Sequence, residues 1–224
     1  MSASAASLDP PFRIEIFADI TCPWCYIGKR RLEAALATSP GLDFEMDWRA
    51  FQRDPILPAD GLPWQTYLAR TFGAAHIDTA LAQISVAASK VGLSFAFDKI
   101  VKMPNTLDAH RLIYWAYPPL LKTRIVERLF KAHFVDGLDI GDRSLLIALA
   151  QECGMDGDAA FDLFSRRDDI DVLRSEIEIS RTLVKQIPFF IFAEDIVVPG
   201  GQSEEELKRA MAKAMAKNAI AKSL

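Results

Sequence analysis

The chain has 224 residues, half of them hydrophobic, which is enough to bury a sizeable core as one large domain or as a domain with an insertion. Its formal net charge of −4 excludes the strongly basic field typical of nucleic-acid-binding proteins, and three cysteines are too few for a disulfide-stapled secreted scaffold. No apolar run reaches the roughly 20 residues of a membrane helix, and residues 1–16 lack the basic and continuous apolar regions of a signal peptide. We therefore expect no nucleic-acid or membrane partner and a cytoplasmic location.

The N-terminal part of the sequence predicts a β–α–β unit. Residues 12–20 (FRIEIFADI) alternate between apolar and polar side chains and predict a strand, as do residues 43–51 (DFEMDWRAF). Residues 23–38 have the pattern of a helix that ends before a Ser-Pro-Gly turn at 39–41. Two cysteines, Cys22 and Cys25, lie where the first strand gives way to this helix.

The middle of the chain is predicted to be helical, and strands return near its end. Between about residues 62 and 185, helix signals replace the alternation, and Asp142 is the expected N-cap of one of these helices. Residues 188–192 (PFFIF) and 196–198 (IVV) predict a buried hairpin, followed by a last helix. Neither outer part has enough strands for a sheet of its own. We therefore predict an α/β fold in which one sheet is assembled from both ends of the chain.

The position of Cys22 at the start of a helix favours its thiolate form. Unpaired backbone N–H groups and the positive end of the helix dipole stabilise an anion there, so we expect a lowered pKa for Cys22. Pro23 suits the first helical position because it has no N–H to leave unpaired. Cys25 follows about one turn later, within reach of a disulfide, and we expect it to be less exposed and to act as the resolving thiol.

Two other interpretations of the CxxC pair are open at this point. A tetrahedral zinc site needs four ligands, but the sequence has no second CxxC, and His76, His110 and His133 are far apart. The alternative is that both cysteines are buried core residues without chemistry. Their place at the strand-to-helix junction favours redox chemistry and no metal.

The dipeptide Ile187-Pro188 opens the late strand and also has two interpretations. A proline that opens a strand at a sheet edge is ordinary, and trans is the usual isomer. In a sheet built from both chain ends, however, Pro188 can lie beside the CxxC. A cis bond there would turn backbone groups toward a bound substrate chain.

Three further side chains are favoured as structural rather than chemical. Asp19 can shuttle a proton for Cys25, but a turn or capping role is the favoured interpretation. Cys153 shares a helix face with apolar residues, which favours core packing over a redox role. His110 is a lone histidine in a predicted helix, where a structural role is the more common one.

Six segments carry a resemblance to a known family: DITCPWCYIGKRRLEAAL, WRAFQRDPILP, NTLDAHRLIYWA, LFKAHFVDGLDIGD, PFFIF and PGGQ. In this order, over residues 19–202, they resemble the FrnE-like branch of the DsbA family in the thioredoxin superfamily. The resemblance implies a thioredoxin-like fold with a large all-helical insertion. The expected domains are a discontinuous thioredoxin-like domain of residues 10–61 and 172–224 and an inserted helical domain of residues 62–171.

The same resemblance assigns roles at the site. It implies Cys22 as the nucleophile, Cys25 as the resolving cysteine and Pro188 as a cis-proline that faces them. The substrate is expected to contact three residues that flank this site, Pro23, Trp24 and Ile187. The chain departs from the family pattern in having Gln-Ile before the proline, where Gly-Val is common; isoleucine keeps the β-branched preference for an extended backbone.

Three functions are compatible with these residues. The favoured one is a thiol–disulfide oxidoreductase that acts on a protein or small thiol substrate, without a cofactor but with glutathione as a possible redox partner. The second is a glutathione-dependent isomerase or transferase, like the related 2-hydroxychromene-2-carboxylate isomerases and kappa-class glutathione transferases, which need no resolving cysteine. The third is a binding module in which the thiols are incidental.

Overall fold

The computed structural model describes residues 12–39 and 43–221. The predicted turn at 39–41 lies partly outside the described residues, and so do residues 1–16, for which no signal peptide is expected. Within them, one four-stranded sheet is built from both ends of the chain in the order β2-β1-β5-β6. Its strands are β1 (Phe12–Ala18), β2 (Phe44–Ala50), β5 (Phe189–Phe192) and β6 (Ile196–Pro199). The prediction of an α/β fold with one sheet assembled from both ends of the chain is confirmed.

The sheet is mixed, and β1, one of its two inner strands, has the most buried residues. β1 runs parallel to β2, in register from Phe12 opposite Phe44 to Ala18 opposite Ala50, and antiparallel to β5. β5 and β6 form the expected antiparallel hairpin. Because β1 and β2 are parallel, their carboxyl ends meet at the same edge of the sheet. The segments that follow these two strands are therefore brought together there.

Helices account for most of the remaining described chain. They are α1 (Pro23–Ala37), α2 (Trp64–Phe72), α3 (Ile77–Ser89), α4 (Leu107–Trp115), α5 (Pro119–Lys131), α6 (Arg143–Glu152), α7 (Gly157–Ser165), α8 (Ile170–Leu183) and α9 (Glu204–Ala221). The Asp142 side chain accepts a hydrogen bond from the Leu145 N–H at 3.0 Å, as predicted for the N-cap of α6. None of the described helices is long and apolar enough to cross a membrane.

The helical block contains one small sheet that the sequence pattern did not predict. Its strands, β3 (Leu62–Pro63) and β4 (Lys102–Met103), are two residues each and pair antiparallel. Strands this short show no alternation, so nothing in the pattern marks them.

The helix that carries the CxxC is fixed firmly to the helical block. The Tyr26 ring stacks on Phe130 of α5 with centroids 4.8 Å apart, and its hydroxyl donates to Glu127 at 2.8 Å. The buried Lys29 ammonium donates to Glu127 and Glu33, both at 2.5 Å. One continuous core runs through the sheet, α1 and the helical block. The division into residues 10–61 with 172–224 and residues 62–171 stays a prediction.

Candidate active site

The CxxC occupies the first turn of α1, at the sheet edge where β1 ends. Cys22 is the N-cap, with an extended backbone at φ −93° and ψ 111°, and Pro23 takes the first helical position. The Cys25 N–H donates to the Cys22 carbonyl at 3.0 Å. No acidic side chain lies in the first turn of α1, so the partial positive charge of the helix N-terminus faces Cys22 undiminished.

The surroundings make the two thiols unequal. A hydrogen bond from the Cys25 thiol lowers the pKa of Cys22, the Arg53 charge lowers it further, and burial opposes both. Burial raises the pKa of Cys25 well above its ordinary value, and the adjacent Cys22 raises it again. Cys22 therefore ionises first, while Cys25 keeps its proton and donates a hydrogen bond to the Cys22 sulfur.

Only one of the two cysteines lines an open space. Cys22 is 3% exposed and lines an open cleft of about 480 Å³, whereas Cys25 is 1% exposed and does not line it. Trp24 and Ile187, two of the predicted substrate contacts, line the same cleft. Pro23, the third, lines a second, narrower pocket of about 80 Å³, which shares Trp24 with the cleft.

Pro188 is held against the helix that carries the cysteines. The Ile187–Pro188 peptide is cis, and the Pro188 carbonyl accepts a hydrogen bond from the Gly200 N–H at 2.7 Å. The Pro188 ring packs on Gly28 of α1 so closely that a Cβ added to Gly28 would lie 2.7 Å from the proline Cγ. Pro188 thus lies in the same part of the fold as the CxxC, as the single sheet requires.

Asp19 has the contacts of a turn-forming acid. Its carboxylate is buried and accepts hydrogen bonds from the Thr21 N–H and hydroxyl, both at 3.2 Å, and from the Arg53 N–H at 2.8 Å. These bonds join the segment after β1 to the segment after β2. His110 lies nearby, with Nε2 3.1 Å from the Phe51 carbonyl oxygen and 3.9 Å from Asp19 Oδ1. Burial lowers the pKa of His110, so that it stays neutral.

Cys153 is placed in a different part of the core. It is the C-cap residue of α6, packs in the same core as Leu146 and Leu149 of that helix, and places its sulfur 3.6 Å from the Arg124 carbonyl oxygen. Burial raises the pKa of this thiol. Both observations agree with the packing role favoured from the sequence.

Three basic residues of the cleft were missed by the sequence reasoning. Arg53, Arg181 and Lys185 line the cleft together with Cys22. Arg53 had a usable signal, because it comes three residues after β2, as Cys22 comes four residues after β1, at the edge where both parallel strands end. Arg181 and Lys185 had none, since only the packing of α8 on β2 brings them here.

The site has no arrangement typical of a metal centre. In the part of the chain that the structure describes, no three histidine, cysteine, aspartate or glutamate side chains form a group that could hold a metal ion.

Comparison with known proteins identifies the class to which this fold and site belong. Residues 13–212 match the family model of the DSBA-like thioredoxin domain. The structure superposes on a probable DsbA oxidoreductase from Streptomyces coelicolor with a TM-score of 0.83 and 27% identity, covering 92% of this chain and 90% of that one. It superposes on a 2-hydroxychromene-2-carboxylate isomerase with a TM-score of 0.69 and 15% identity, covering 92% and 98%.

A curated relative has nearly the same length. The uncharacterised protein YwbO of Bacillus subtilis (strain 168) is 27% identical over 209 residues, which span 88% of this chain and 94% of that protein. The chain has a thioredoxin-like fold with many helices added to it, as predicted. It belongs to the DSBA-like thioredoxin family, a family of thiol–disulfide oxidoreductases.

Proposed function

We propose that this protein is a thiol–disulfide oxidoreductase of DsbA/FrnE type, which exchanges disulfides through Cys22 and Cys25. The inequality of the two sulfurs carries the proposal. Cys22 lines the open cleft and has a lowered pKa, while Cys25 lies one turn further along α1, is buried and has a raised pKa. Attack on a substrate disulfide needs a thiolate that forms readily and can be reached, and the lowered pKa of Cys22 and its place in the cleft lining favour both.

In the reducing direction, the Cys22 thiolate attacks one sulfur of a substrate disulfide. The S–S bond of the substrate breaks, its other sulfur leaves as a thiolate, and a mixed disulfide forms on Cys22. Cys25 then loses its proton and attacks the Cys22 sulfur, which releases the second substrate thiolate and forms the Cys22–Cys25 disulfide. Two electrons pass to the substrate, and the protons lost by the two cysteines go to the two released thiolates. The reverse sequence oxidises a substrate dithiol.

We assign the substrate backbone to the part of the cleft that Ile187 lines. Trp24 and Ile187 line the same cleft as Cys22, and Pro188, the residue after Ile187, is packed against Gly28 of α1. Pro23 shapes the first turn of the helix. Pro188 and these three residues are the proposed positioning and contact residues for the substrate.

Glutathione is the proposed redox partner, and the cytoplasm the proposed location. In the cytoplasm glutathione keeps thiols reduced, so a CxxC pair there is more often catalytic than structural. Disulfide-containing or dithiol-containing proteins and small thiols are the proposed substrates.

Trapping of the mixed disulfide tests the proposal. Cys25→Ser should accumulate a mixed disulfide on Cys22, seen as an added mass in the intact protein after incubation with a disulfide substrate, whereas Cys22→Ser should not. Cys153→Ser is the matched control, because this cysteine is buried at the C-terminal end of α6, and it should behave as the wild type does. If neither Cys22→Ser nor Cys25→Ser slows insulin reduction or dithiol oxidation, the proposal is wrong.

A second candidate function is a glutathione-dependent isomerase or transferase that uses Cys22 alone. The observation in its favour is that Cys22 lines the cleft while Cys25 does not. The two candidates differ in their need for the resolving cysteine. Glutathione-dependent isomerase or transferase activity that survives Cys25→Ser would favour the second candidate.

A further inference from the structure

The cleft in front of Cys22 is lined by three cations. Arg53 is half-buried, Arg181 is half-buried, and Lys185 is exposed at the mouth of the cleft. Among the described residues, no carboxylate oxygen lies within 4.0 Å of the charged nitrogens of any of the three. Such a concentration of unpaired positive charge is unexpected in a chain whose formal net charge is −4.

Backbone carbonyls hold two of these cations in place. Arg181 donates through Nη1 to the carbonyls of Gln52 and, at 3.1 Å, of Arg53, and its guanidinium lies 5.8 Å from the centre of the Phe51 ring. Lys185 donates to the Thr182 carbonyl at 2.7 Å. Carbonyls fix the positions of the side chains without neutralising their charges, so N–H donors of both remain free for an anion.

One buried carboxylate, that of Asp19, interacts with the charge of Arg53 from outside the cleft. Asp19 is 2% exposed, it does not line the cleft, and its oxygens accept from Thr21 and from the Arg53 backbone. Three cations and no carboxylate line the cleft beside Cys22, so its lining carries a net positive charge. A cleft lined by one sign of charge raises the local concentration of ligands of the opposite sign.

We propose that this cleft selects disulfides that carry a carboxylate next to the S–S bond, with Arg181 and Lys185 binding the carboxylate while Cys22 attacks the sulfur. This inference rests on the proposed function and names the substrate chemistry of the same site. The step itself is unchanged: the substrate S–S bond breaks, a Cys22–substrate disulfide forms, and one substrate thiolate leaves. Arg53 is not assigned to carboxylate binding, because its charge also stabilises the Cys22 thiolate.

Three small disulfides of similar size but different charge test the proposal. They are 3,3′-dithiodipropionate with two negative charges, the neutral bis(2-hydroxyethyl) disulfide, and cystamine with two positive charges. The second-order rate of mixed-disulfide formation on Cys22 of the Cys25→Ser variant is measured by acid quench and intact mass, and divided by the rate with free 2-mercaptoethanol in the same buffer. We expect the dianion to react about tenfold faster than the neutral compound at low ionic strength, and the dication to react slowest.

Charge variants identify the residues responsible. Lys185→Glu, at an exposed position, should reduce or reverse the difference in rate between the dianion and the dication, and Arg181→Gln should reduce it. Arg167→Gln removes one positive charge at an exposed position that lines a different cleft, and it should keep the wild-type order. Added salt should flatten the order in the parent protein, because exposed charges are screened.

The outcomes separate this inference from the function on which it rests. If the neutral disulfide reacts and all three normalised rates are equal, the charge selection is wrong and the thiol chemistry stands. If no disulfide reacts, both are wrong. If the three rates keep their wild-type ratios in both Lys185→Glu and Arg181→Gln, the assignment of charge selection to these residues is wrong.

Two sources of such a carboxylate are distinguished by further arms of the same assay. Glutathione disulfide represents a small molecule, and a pair of cystine peptides with either Glu or Gln beside the cysteine represents a protein segment. A faster reaction of the Glu peptide than of its Gln counterpart supports an acidic protein segment. Acceleration confined to glutathione disulfide supports the small molecule.

Discussion

Replacing Gly28 by alanine should destabilise the protein, although alanine is the better helix former. Gly28 lies in α1, where its missing side chain leaves room for Pro188. An added Cβ would lie 2.7 Å from Pro188 Cγ and 3.3 Å from Phe190 Cζ, both closer than ordinary contact. Neither neighbour moves easily, since Phe190 is fully buried and Pro188 is a rigid ring whose carbonyl is bonded to Gly200.

The expected magnitude is the difference between two effects. Overpacking a core by one methyl group costs about 1–3 kcal/mol, and replacing a helical glycine by alanine regains up to about 1 kcal/mol. We therefore expect Gly28→Ala to lower the free energy of unfolding by roughly 1–2 kcal/mol. For a chain of this size that lowers the melting temperature by roughly 2–8 °C.

Urea denaturation and thermal unfolding of Gly28→Ala measure this effect, with Gly157→Ala as the matched control. At Gly157, the first residue of α7, an added Cβ would lie only 1.8 Å from an atom, but that atom is Nε2 of the exposed Gln151 side chain, which can rotate away. Gly157→Ala should change the stability by less than about 0.5 kcal/mol. If Gly28→Ala proves as stable as the wild type or more so, the close packing of Pro188 on α1 is refuted.

Three further predictions concern charge and protonation. When the rate of alkylation of Cys22 by iodoacetamide is measured against pH, its inflection should lie below the ordinary pKa of a cysteine, because the Cys25 thiol and the Arg53 charge stabilise the Cys22 thiolate. Arg53→Gln should move this inflection to higher pH. Burial lowers the pKa of His133 to about 4, below its ordinary 6.5, so the unfolded chain binds this proton more tightly than the folded protein does. The free energy of unfolding should therefore fall by roughly 3 kcal/mol through this group as the pH falls from 6.5 to 4. Urea denaturation of the wild type and of His133→Leu measures this loss. Glu127→Gln should lower the free energy of unfolding by roughly 1–3 kcal/mol in the same assay, because the buried Lys29 ammonium loses one of its two carboxylate partners.

The controls for these predictions use exposed positions with matched chemistry. Arg167→Gln should leave the Cys22 inflection in place, and an inflection that Arg53→Gln does not move either would contradict the role of Arg53. Glu152→Gln, at a side chain that is 55% exposed, should cost less than about 0.5 kcal/mol; an equal cost for Glu127→Gln would contradict the account of Lys29. Parallel pH–stability curves for the wild type and His133→Leu would show that His133 does not carry the proton linkage.

The burial of His133 explains why its protonation is costly. Its ring is fully buried, stands edge-on to Trp64 with centroids 6.4 Å apart, and makes no hydrogen bond of good geometry through either nitrogen. The backbone of Leu138 and the charges of Asp19 and Asp139 raise its pKa only enough to offset part of the burial effect. Protonation would place a charge in the apolar core, which is the cause of the predicted loss of stability.

The strands and the CxxC helix were predictable because their signals are local. Alternating side chains mark β1 and β2, and a proline directly after Cys22 marks the start of α1. The same kind of signal marks the β5–β6 hairpin, and the shortage of strands at each end then requires a single sheet. This sheet also gives the reason why Pro188 lies near a helix more than 150 residues earlier in the sequence.

Of the three cations of the cleft, only Arg53 could have been predicted, from its place just after β2, and no local signal groups it with the other two. Arg53 follows β2, Arg181 lies in α8, and Lys185 lies in the connection to β5, so no period or motif relates them. Their meeting depends on strand pairing and on the packing of α8 against β2, which are properties of the assembled fold. Likewise, β3 and β4 exist only because two distant dipeptides pair with each other.

The central claim is that Cys22 and Cys25 form one redox couple, and a titration of the protein in glutathione redox buffers tests it most directly. Samples equilibrated at each ratio of reduced to oxidised glutathione are acid-quenched, alkylated and weighed as intact chains. We expect a single two-electron transition in which two of the three thiols are lost together, as a Cys22–Cys25 disulfide with Cys153 still free. The transition should vanish in Cys22→Ser and in Cys25→Ser. Three free thiols at the most oxidising ratio, or a disulfide that includes Cys153, would contradict the claim.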